Sequence, residues 1–230
     1  MEQFVYHQDF KHGLFSKYLE VAARLPAAGT ILEIGCHTGY FSAYLQRQGY
    51  TVFGIEYNAA AVAEAVAQGV DAIQGDIEDA TLIKRLGRTF DVIVIMDVLE
   101  HLRDPASVLR SLAVLLNPGG KVLITGPNIT YWAVRKDLLL GRWRHTETGI
   151  LDRTHLHLYS AADWHDLCQA ARYNVRDFGV AEGFLPLEHV MRRMPLLQTL
   201  VPVLRDIAKR LTPDLFATVY LIEAVPEFTA

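Results

Sequence analysis

Three acidic residues, each near the end of a short apolar run, are the first candidates for chemistry. Glu33 stands just before a glycine-bearing turn, Glu56 ends the run 51–56, and Asp76 follows the run 70–74. In open α/β sheets an acid after the second strand accepts hydrogen bonds from ribose hydroxyls, and one after the third can accept from an adenine amino group. Singly, each is as well explained as a helix cap or a solvated turn residue. Jointly, they indicate a nucleoside site.

The turn beside Glu33 holds two glycines, Gly35 and Gly39, in the sequence GCHTG. A dinucleotide site uses G-x-G-x-x-G so that the backbone can approach a pyrophosphate, and the third glycine of that pattern is missing here. The spacing therefore disfavours a pyrophosphate ligand. It suits a ligand with an amino-acid end and a ribose.

A second cluster of reactive residue types follows the most apolar run of the chain. Asp97, Glu100 and His101 form the pattern D-x-x-E-H, and His155 and His157 lie in a later irregular stretch. Imidazole exchanges a proton near neutral pH, so His101 is the first candidate for a general base and His155 the second. A divalent metal at Asp97, Glu100 and His101 is chemically reasonable. The favoured alternative is a first helical turn packed under a lid, without metal.

The elements that must position these residues alternate between strand and helix patterns. The run 90–96, FDVIVIM, is typical of a strand buried on both faces, and Asn58 and Asp104 stand where helix N-caps are expected. Strand–helix alternation with short connections predicts a right-handed βαβ sheet with helices on both faces. The predicted strands of this part are 31–34, 51–56, 70–74, 90–96 and 121–125, with a helix from Pro105 through Leu116 before the last.

After residue 126 the regular alternation of strand and helix patterns ends, although one domain over 1–230 is still expected. We expect a cover helix at 13–25 within 1–29, a cofactor-binding core at 30–126 and a lid at 127–160. A helix capped by Ser160 follows. Two late strands, 175–181 and 217–224, should form an antiparallel hairpin at the sheet edge. Between them the leucine- and arginine-rich insertion 186–213 could lie on an anionic membrane, cover the pocket, make a dimer or be an ordinary solvated face.

Bulk composition limits the partners. The 230 residues carry 22 basic and 26 acidic side chains, a net charge of -4, which argues against a nucleic-acid ligand. Two cysteines, Cys36 and Cys168, do not make a disulfide framework and fit a reducing cytoplasm. No apolar run approaches the roughly 20 residues of a membrane span. We expect a cytoplasmic protein without integral membrane association, a monomer or homodimer, acting on a small molecule.

Five segments in order resemble the motifs of class I S-adenosylmethionine-dependent methyltransferases: LEIGCHTGYFSAYL, VFGIEYN, QGDIED, FDVIVIMDVLEHLRDP and LNPGGKVLITGPN. The resemblance covers residues 30–128 and implies a Rossmann-like, doubly wound, mostly parallel seven-stranded sheet with an antiparallel edge hairpin and helical lid insertions. GILDRTHLHLYS resembles a bacterial branch acting on small molecules or sugar and polysaccharide precursors. The D-x-x-E-H cluster is similar to one that holds a divalent metal in small-RNA 3′-end and some ubiquinone-pathway methyltransferases.

By position, the resemblance implies contacts with each part of S-adenosylmethionine. His37 replaces the middle glycine of the family pattern E-x-G-x-G-x-G, and the aromatic Tyr6 is expected to close over the cofactor. The implied contacts are Glu33, Gly35, His37 and Gly39 around the methionine end, Glu56 at the ribose, Tyr57, Asp76 and Ile77 at the adenine, and Asp97 on the sulfonium side. Cys36, Tyr40 and Val98 are further predicted cofactor-binding residues.

The resemblance thus predicts methyl transfer to an oxygen, or a nitrogen, of a small-molecule or sugar-type acceptor. Two alternatives stay open. A non-catalytic S-adenosylmethionine-binding subunit or regulator would keep the cofactor residues but not turn over. A nicotinamide-dependent oxidoreductase is disfavoured by the glycine spacing.

Overall fold

A computed structural model of the protein describes residues 16–227, and one seven-stranded sheet organises them. The strand order is β3-β2-β1-β4-β5-β7-β6; β7 is antiparallel to both β5 and β6, and the other adjacent strands pair in parallel. The predicted doubly wound sheet with an antiparallel edge hairpin is confirmed. Its strands are β1 Thr30–Ile34, β2 Thr51–Glu56, β3 Asp71–Gln74, β4 Phe90–Met96, β5 Leu116–Pro127, β6 Tyr173–Gly183 and β7 Ala217–Pro226.

The sheet reverses its winding between β1 and β4. From β1 the chain winds outward through β2 to β3, then returns to the other side of β1 with β4 and continues to β5. Ile31 to Ile34 pair in parallel with both β2 and β4. In open α/β sheets ligands bind at such a switch point, in the crevice outside the carboxyl ends of the strands.

Eleven α-helices accompany the sheet within residues 16–227. Predicted caps are confirmed: Asn58 accepts hydrogen bonds from the backbone of Ala60 and Ala61, and Ser160 and Asp163 form a reciprocal capping box. The helix α4 was not predicted. The helices are α1 Ser16–Ala22, α2 Tyr40–Arg47, α3 Ala59–Ala67, α4 Ala80–Arg85, α5 Pro105–Leu112, α6 Trp132–Leu139, α7 Ala161–Ala170, α8 Glu188–Met191, α9 Pro195–Gln198, α10 Val201–Leu211 and α11 Pro213–Phe216.

The boundary between α5 and β5 corrects the sequence prediction. The helix ends at Leu112 and a 3-10 turn continues to Leu115, so Leu116 already belongs to β5, where it pairs with Phe90. A register shift between Phe90 and Val92 absorbs the turn-like Asn-Pro-Gly sequence, and the Asn117 side chain donates to Asp91 at 2.8 Å. The strand therefore begins five residues before the predicted start.

The described part of the predicted cover helix is α1, which ends at Ala22 rather than at residue 25. It packs on β6 and β7, burying Tyr18 and Val21. Residues 13–15 and Tyr6 lie outside the described part of the chain. Among residues 16–227, no helix is both long enough and apolar enough to cross a bilayer.

Candidate active site

The glycine turn after β1 needs left-handed backbone at three of its positions. Gly35, His37 and Gly39 have φ values of 75°, 50° and 78°. Glycine adopts this region without cost, and histidine is among the non-glycine residues found there more often. His37 therefore replaces the family glycine without breaking the turn.

Close packing explains the two glycines independently of their φ angles. A Cβ at Gly35 would lie 2.6 Å from Cγ2 of Val98, and one at Gly39 would lie 2.8 Å from Cβ of Ala65. Gly39 directly precedes α2 and brings that helix against α3. The backbone of the turn therefore packs directly against Val98 on one side and Ala65 on the other.

Glu56 connects the turn to the end of β2. Its Oε2 accepts a hydrogen bond from the His37 backbone N–H at 3.0 Å, and its Oε1 accepts from the Asn58 N–H at 2.8 Å. A carboxylate oxygen has a further lone pair after accepting one bond. The half-buried Glu56 side chain can therefore hold the turn and still accept from two neighbouring hydroxyls.

Glu33 lies deeper than a strand-end acid in contact with ligand. It is 3% exposed and accepts a hydrogen bond from the Ser42 hydroxyl of α2. Burial raises the pKa of Glu33 to about 8, partly offset by that hydrogen bond, so the carboxyl group is mostly protonated at pH 7. Its hydrogen bond is with α2, the helix that follows the turn.

The other predicted nucleoside residues differ in exposure. Asp76 is exposed and caps its own turn by accepting from the Glu78 N–H at 2.9 Å. Ile77 belongs to the core, whereas the Tyr57 side chain is 73% exposed. Cys36 is buried against Gly54, so only its backbone can face a ligand. Of these four, Asp76 and Tyr57 have side chains accessible from solvent.

Asp97, at the end of β4, is held by a residue that the sequence did not indicate. Its carboxylate forms an ion pair with Lys17 of α1 and accepts from the Thr125 hydroxyl at 3.0 Å. These partners hold the pKa of Asp97 below its usual range despite burial. Asp97 itself has φ 53°. Beside this pair, the hydroxyls of Tyr18 and Tyr40 are hydrogen bonded to each other, which joins α1 to the start of α2.

The predicted lid is bound to the 3-10 turn Leu99–His101 that follows β4. The backbone carbonyl of Glu100 accepts from the N–H groups of Leu156 and His157, at 2.9 and 3.1 Å. Nε2 of His157 donates to the Leu102 carbonyl at 2.9 Å. The segment around residues 154–157 is therefore held against the turn that follows β4.

The two candidate bases are neighbours across this contact. The rings of His101 and His155 meet edge to face with centroids 4.7 Å apart. Nδ1 of His101 lies 3.2 Å from the Thr154 carbonyl, and Nδ1 of His155 lies 3.1 Å from the Ile150 carbonyl. A carbonyl can only accept, so each Nδ1 carries a proton, and Nε2 is the nitrogen of each ring through which it could accept one. Burial and the nearby His155 lower the pKa of His101.

Glu100 completes this group. Its side chain is fully buried, with Oε1 3.9 Å from Nε2 of His155. Within residues 16–227, neither carboxylate oxygen has a hydrogen-bond partner. Burial, reinforced by the charge of Asp97, raises the pKa of Glu100 well above its ordinary value. One ligand atom from each of Glu100, His101 and His155 lies within 4.8 Å of the others. The cluster thus contains His155 in place of the predicted Asp97, whose carboxylate is paired with Lys17.

A family model described as a methyltransferase domain matches residues 6–177 of the chain. Curated relatives include two proteins named ubiquinone biosynthesis O-methyltransferase. The one from Aeromonas salmonicida is 37% identical over 102 residues, covering 43% of this chain and 43% of the relative. The one from Caulobacter vibrioides is 36% identical over 118 residues, covering 49% of this chain and 47% of the relative. The match spans less than half the length of these relatives.

Solved structures share the fold. A methyltransferase from Archaeoglobus fulgidus described as S-adenosylmethionine-dependent superposes with a TM-score of 0.63 at 16% identity, covering 91% of each chain. Magnesium protoporphyrin IX methyltransferase from Synechocystis PCC 6803, solved with bound S-adenosylhomocysteine, gives 0.57 at 16% identity, covering 92% of this chain and 80% of that one. The family match over residues 6–177 shows that the chain belongs to the class I S-adenosylmethionine-dependent methyltransferases, whose fold these solved structures share.

Proposed function

We propose that this protein transfers a methyl group from S-adenosylmethionine to an oxygen, or a nitrogen, of a small-molecule or sugar-type acceptor. The observation that supports it best is the alignment along one edge of the sheet. The glycine turn follows β1, Glu56 ends β2 and Asp97 follows β4, and His101 comes one turn after Asp97. A donor site and a proton acceptor thus lie side by side.

For the donor, the proposal assigns one role to each strand end. Gly35, His37, Gly39 and Tyr40 line the methionine end, with Cys36 contributing backbone. Glu56 accepts from the ribose hydroxyls with lone pairs left over from its two backbone hydrogen bonds. Asp76 and Tyr57, with Ile77 beneath them, take the adenine. Asp97 and Val98 flank the sulfonium. When bound, the sulfonium supplies a reactive methyl group for in-line displacement.

The main task of the protein in such a reaction is alignment of acceptor and methyl carbon. His101 is the proposed general base, because its pKa is lowered and Thr154 fixes its tautomer with the lone pair on Nε2. His155 is the second candidate. The docked segment 154–157 would exclude water from the acceptor, which suits a small molecule better than a polymer. The names of the curated relatives are consistent with transfer to oxygen.

A metal-assisted version of the same reaction has one observation in its favour. One ring nitrogen from each of His101 and His155, together with the buried Glu100 carboxylate, is a donor set that zinc or manganese accepts. The carbonyl contacts at both Nδ1 atoms already orient the rings for coordination through Nε2. A bound cation would lower the pKa of an acceptor hydroxyl. Metal bound to the purified protein, with loss of activity after chelation, would support this version. Activity retained after chelation would support the metal-free one.

The test of the proposed function measures S-adenosylhomocysteine release with a panel of hydroxylated and amino acceptors. We expect turnover with at least one acceptor, and a large loss of turnover with retained cofactor affinity in His101→Ala. Binding of S-adenosylmethionine without turnover on any acceptor would favour the non-catalytic alternative. Binding of NAD without S-adenosylmethionine would favour the oxidoreductase.

A further inference from the structure

The helix α10 presents its apolar side to the outside of the molecule. Five apolar residues recur on one arc of about 100° at helical spacing. Their exposed fractions run from 38% at Leu204 to 76% at Leu211. The residues of this outward apolar arc are Leu200, just before the helix, and Val203, Leu204, Ile207 and Leu211.

The opposite side of α10, which faces the protein, is anchored by charged groups. Arg205 donates to the Gly183 carbonyl at 2.6 Å and lies 3.8 Å from the carboxylate of Glu188. Lys209 pairs with Glu20 of α1 at 3.1 Å. An amphipathic helix on a globular protein normally buries its apolar side and exposes its charged side. In α10 the arrangement is reversed, so burial within the described part of the chain does not explain its leucines.

A second group of exposed apolar residues is linked to the first. The short helix α11 contacts both α10 and α6, and exposes Leu215. At the end of α6 and just after it, Leu138, Leu139 and Leu140 are all more than half exposed, and Trp143 is 44% exposed. Apolar surface thus occurs on both neighbours of α11.

The charge of these two segments is opposite to that of the whole chain. Residues 186–213 contain five basic and two acidic side chains, and residues 131–145 contain four basic and one acidic, whereas the chain as a whole has a net charge of -4. One of the acids, Glu188, is already buried and paired with Arg192. Basic residues therefore flank the exposed apolar surface.

We propose that α10 and the end of α6 dock this protein on the surface of an anionic lipid bilayer. The outward apolar arc would enter the boundary between head groups and acyl chains, and Arg193, Arg210, Arg142 and Arg144 would meet lipid phosphates. A second copy is a poorer occupant, because self-association would bring two positively charged segments together. The inference does not depend on methyl transfer.

The test is cosedimentation of the full chain with vesicles of phosphatidylglycerol and phosphatidylcholine, and with vesicles of phosphatidylcholine alone. We expect binding to the anionic vesicles that weakens with added salt. The double variant Leu204→Glu/Ile207→Glu should bind roughly tenfold more weakly or worse. The matched control Val66→Glu/Val114→Glu changes two exposed valines outside α6 and α10 and should bind within about twofold of the unchanged protein.

Charge-reversal variants distinguish electrostatic attraction to lipid phosphates from non-specific apolar adsorption. Arg193→Glu/Arg210→Glu should weaken binding and reduce its salt dependence, whereas Arg47→Glu on α2 should do neither. Circular dichroism and thermal shift with S-adenosylhomocysteine check that each variant is folded. No binding to anionic vesicles at low salt, unchanged binding of Leu204→Glu/Ile207→Glu, or a dimer by light scattering that this variant dissociates would each overturn the proposal.

Discussion

Replacing Glu56 with glutamine tests the proposed ribose contact at a single atom. The glutamine keeps the size of the side chain but converts one acceptor oxygen into an NH2 donor. In the present structure Oε2 and Oε1 accept from the His37 and Asn58 N–H groups at 3.0 and 2.8 Å. Whichever position the NH2 takes, one backbone donor loses its acceptor and one ribose hydroxyl loses a charged acceptor.

A hydrogen bond to a charged group contributes about 1.5–3 kcal/mol, and each 1.4 kcal/mol is a factor of ten. Glu56→Gln should therefore bind S-adenosylhomocysteine about 10- to 150-fold more weakly, measured by titration calorimetry. Glu64→Gln, an exposed position on α3, is the matched control and should bind unchanged. An unaltered affinity in a folded Glu56→Gln variant would refute the assignment of the ribose to this carboxylate.

Three further predictions concern stability. Gly39→Ala and Gly49→Ala both place alanine at positive φ, but only Gly39 is crowded, by Ala65 and Val70, so Gly39→Ala should lose about 1–3 kcal/mol more in denaturant unfolding; equal losses would contradict the packing account. The folded-state pKa of Glu33, about 8, exceeds its ordinary 4.5, so the native state retains a proton that the unfolded state loses between these pH values. Stability should fall as pH rises through that window, and the fall should be shallower in Glu33→Gln; identical pH dependence would exclude Glu33 as its source. Lys17→Met leaves the partly buried Asp97 unpaired and should cost about 2 kcal/mol, between the values for exposed and buried pairs, with the exposed Lys84→Met as a control without effect.

The sequence predicted the core of the sheet because its signals are local. Apolar runs, glycines after helices and capping residues each depend on a few neighbouring positions, and β1, β2 and β4 followed from them. The early start of β5 did not, because Leu116 joins the sheet through a register shift opposite Phe90. The sequence Asn-Pro-Gly-Gly at 117–120 is typical of a turn and does not predict that β5 runs through it.

The site was predictable in its residue types but less so in its contacts. Glu33, Glu56 and Asp97 have similar positions relative to their strands, yet burial against Ser42 and pairing with Lys17 give two of them different environments. Lys17 is 80 positions from Asp97, and only the packing of α1 brings them together. The pairing of His155 with Glu100 likewise depends on a long-range contact, between the segment around residues 154–157 and the turn after β4.

For the exposed leucines of α10, the sequence predicts the helix but not the direction in which its apolar side faces. Their spacing predicts an amphipathic helix equally well whether its apolar side faces the protein or the outside. Arg205 and Lys209 decide the orientation through contacts with Gly183 and Glu20, far away in the chain.

The glycine turn and the strand ends beside it form the methyl-donor site that we propose. Titration calorimetry of the unchanged protein with S-adenosylhomocysteine and, separately, with NAD tests this most directly. We predict one-to-one binding of S-adenosylhomocysteine and no heat with NAD. Binding of NAD in the absence of any S-adenosylhomocysteine binding would contradict the account.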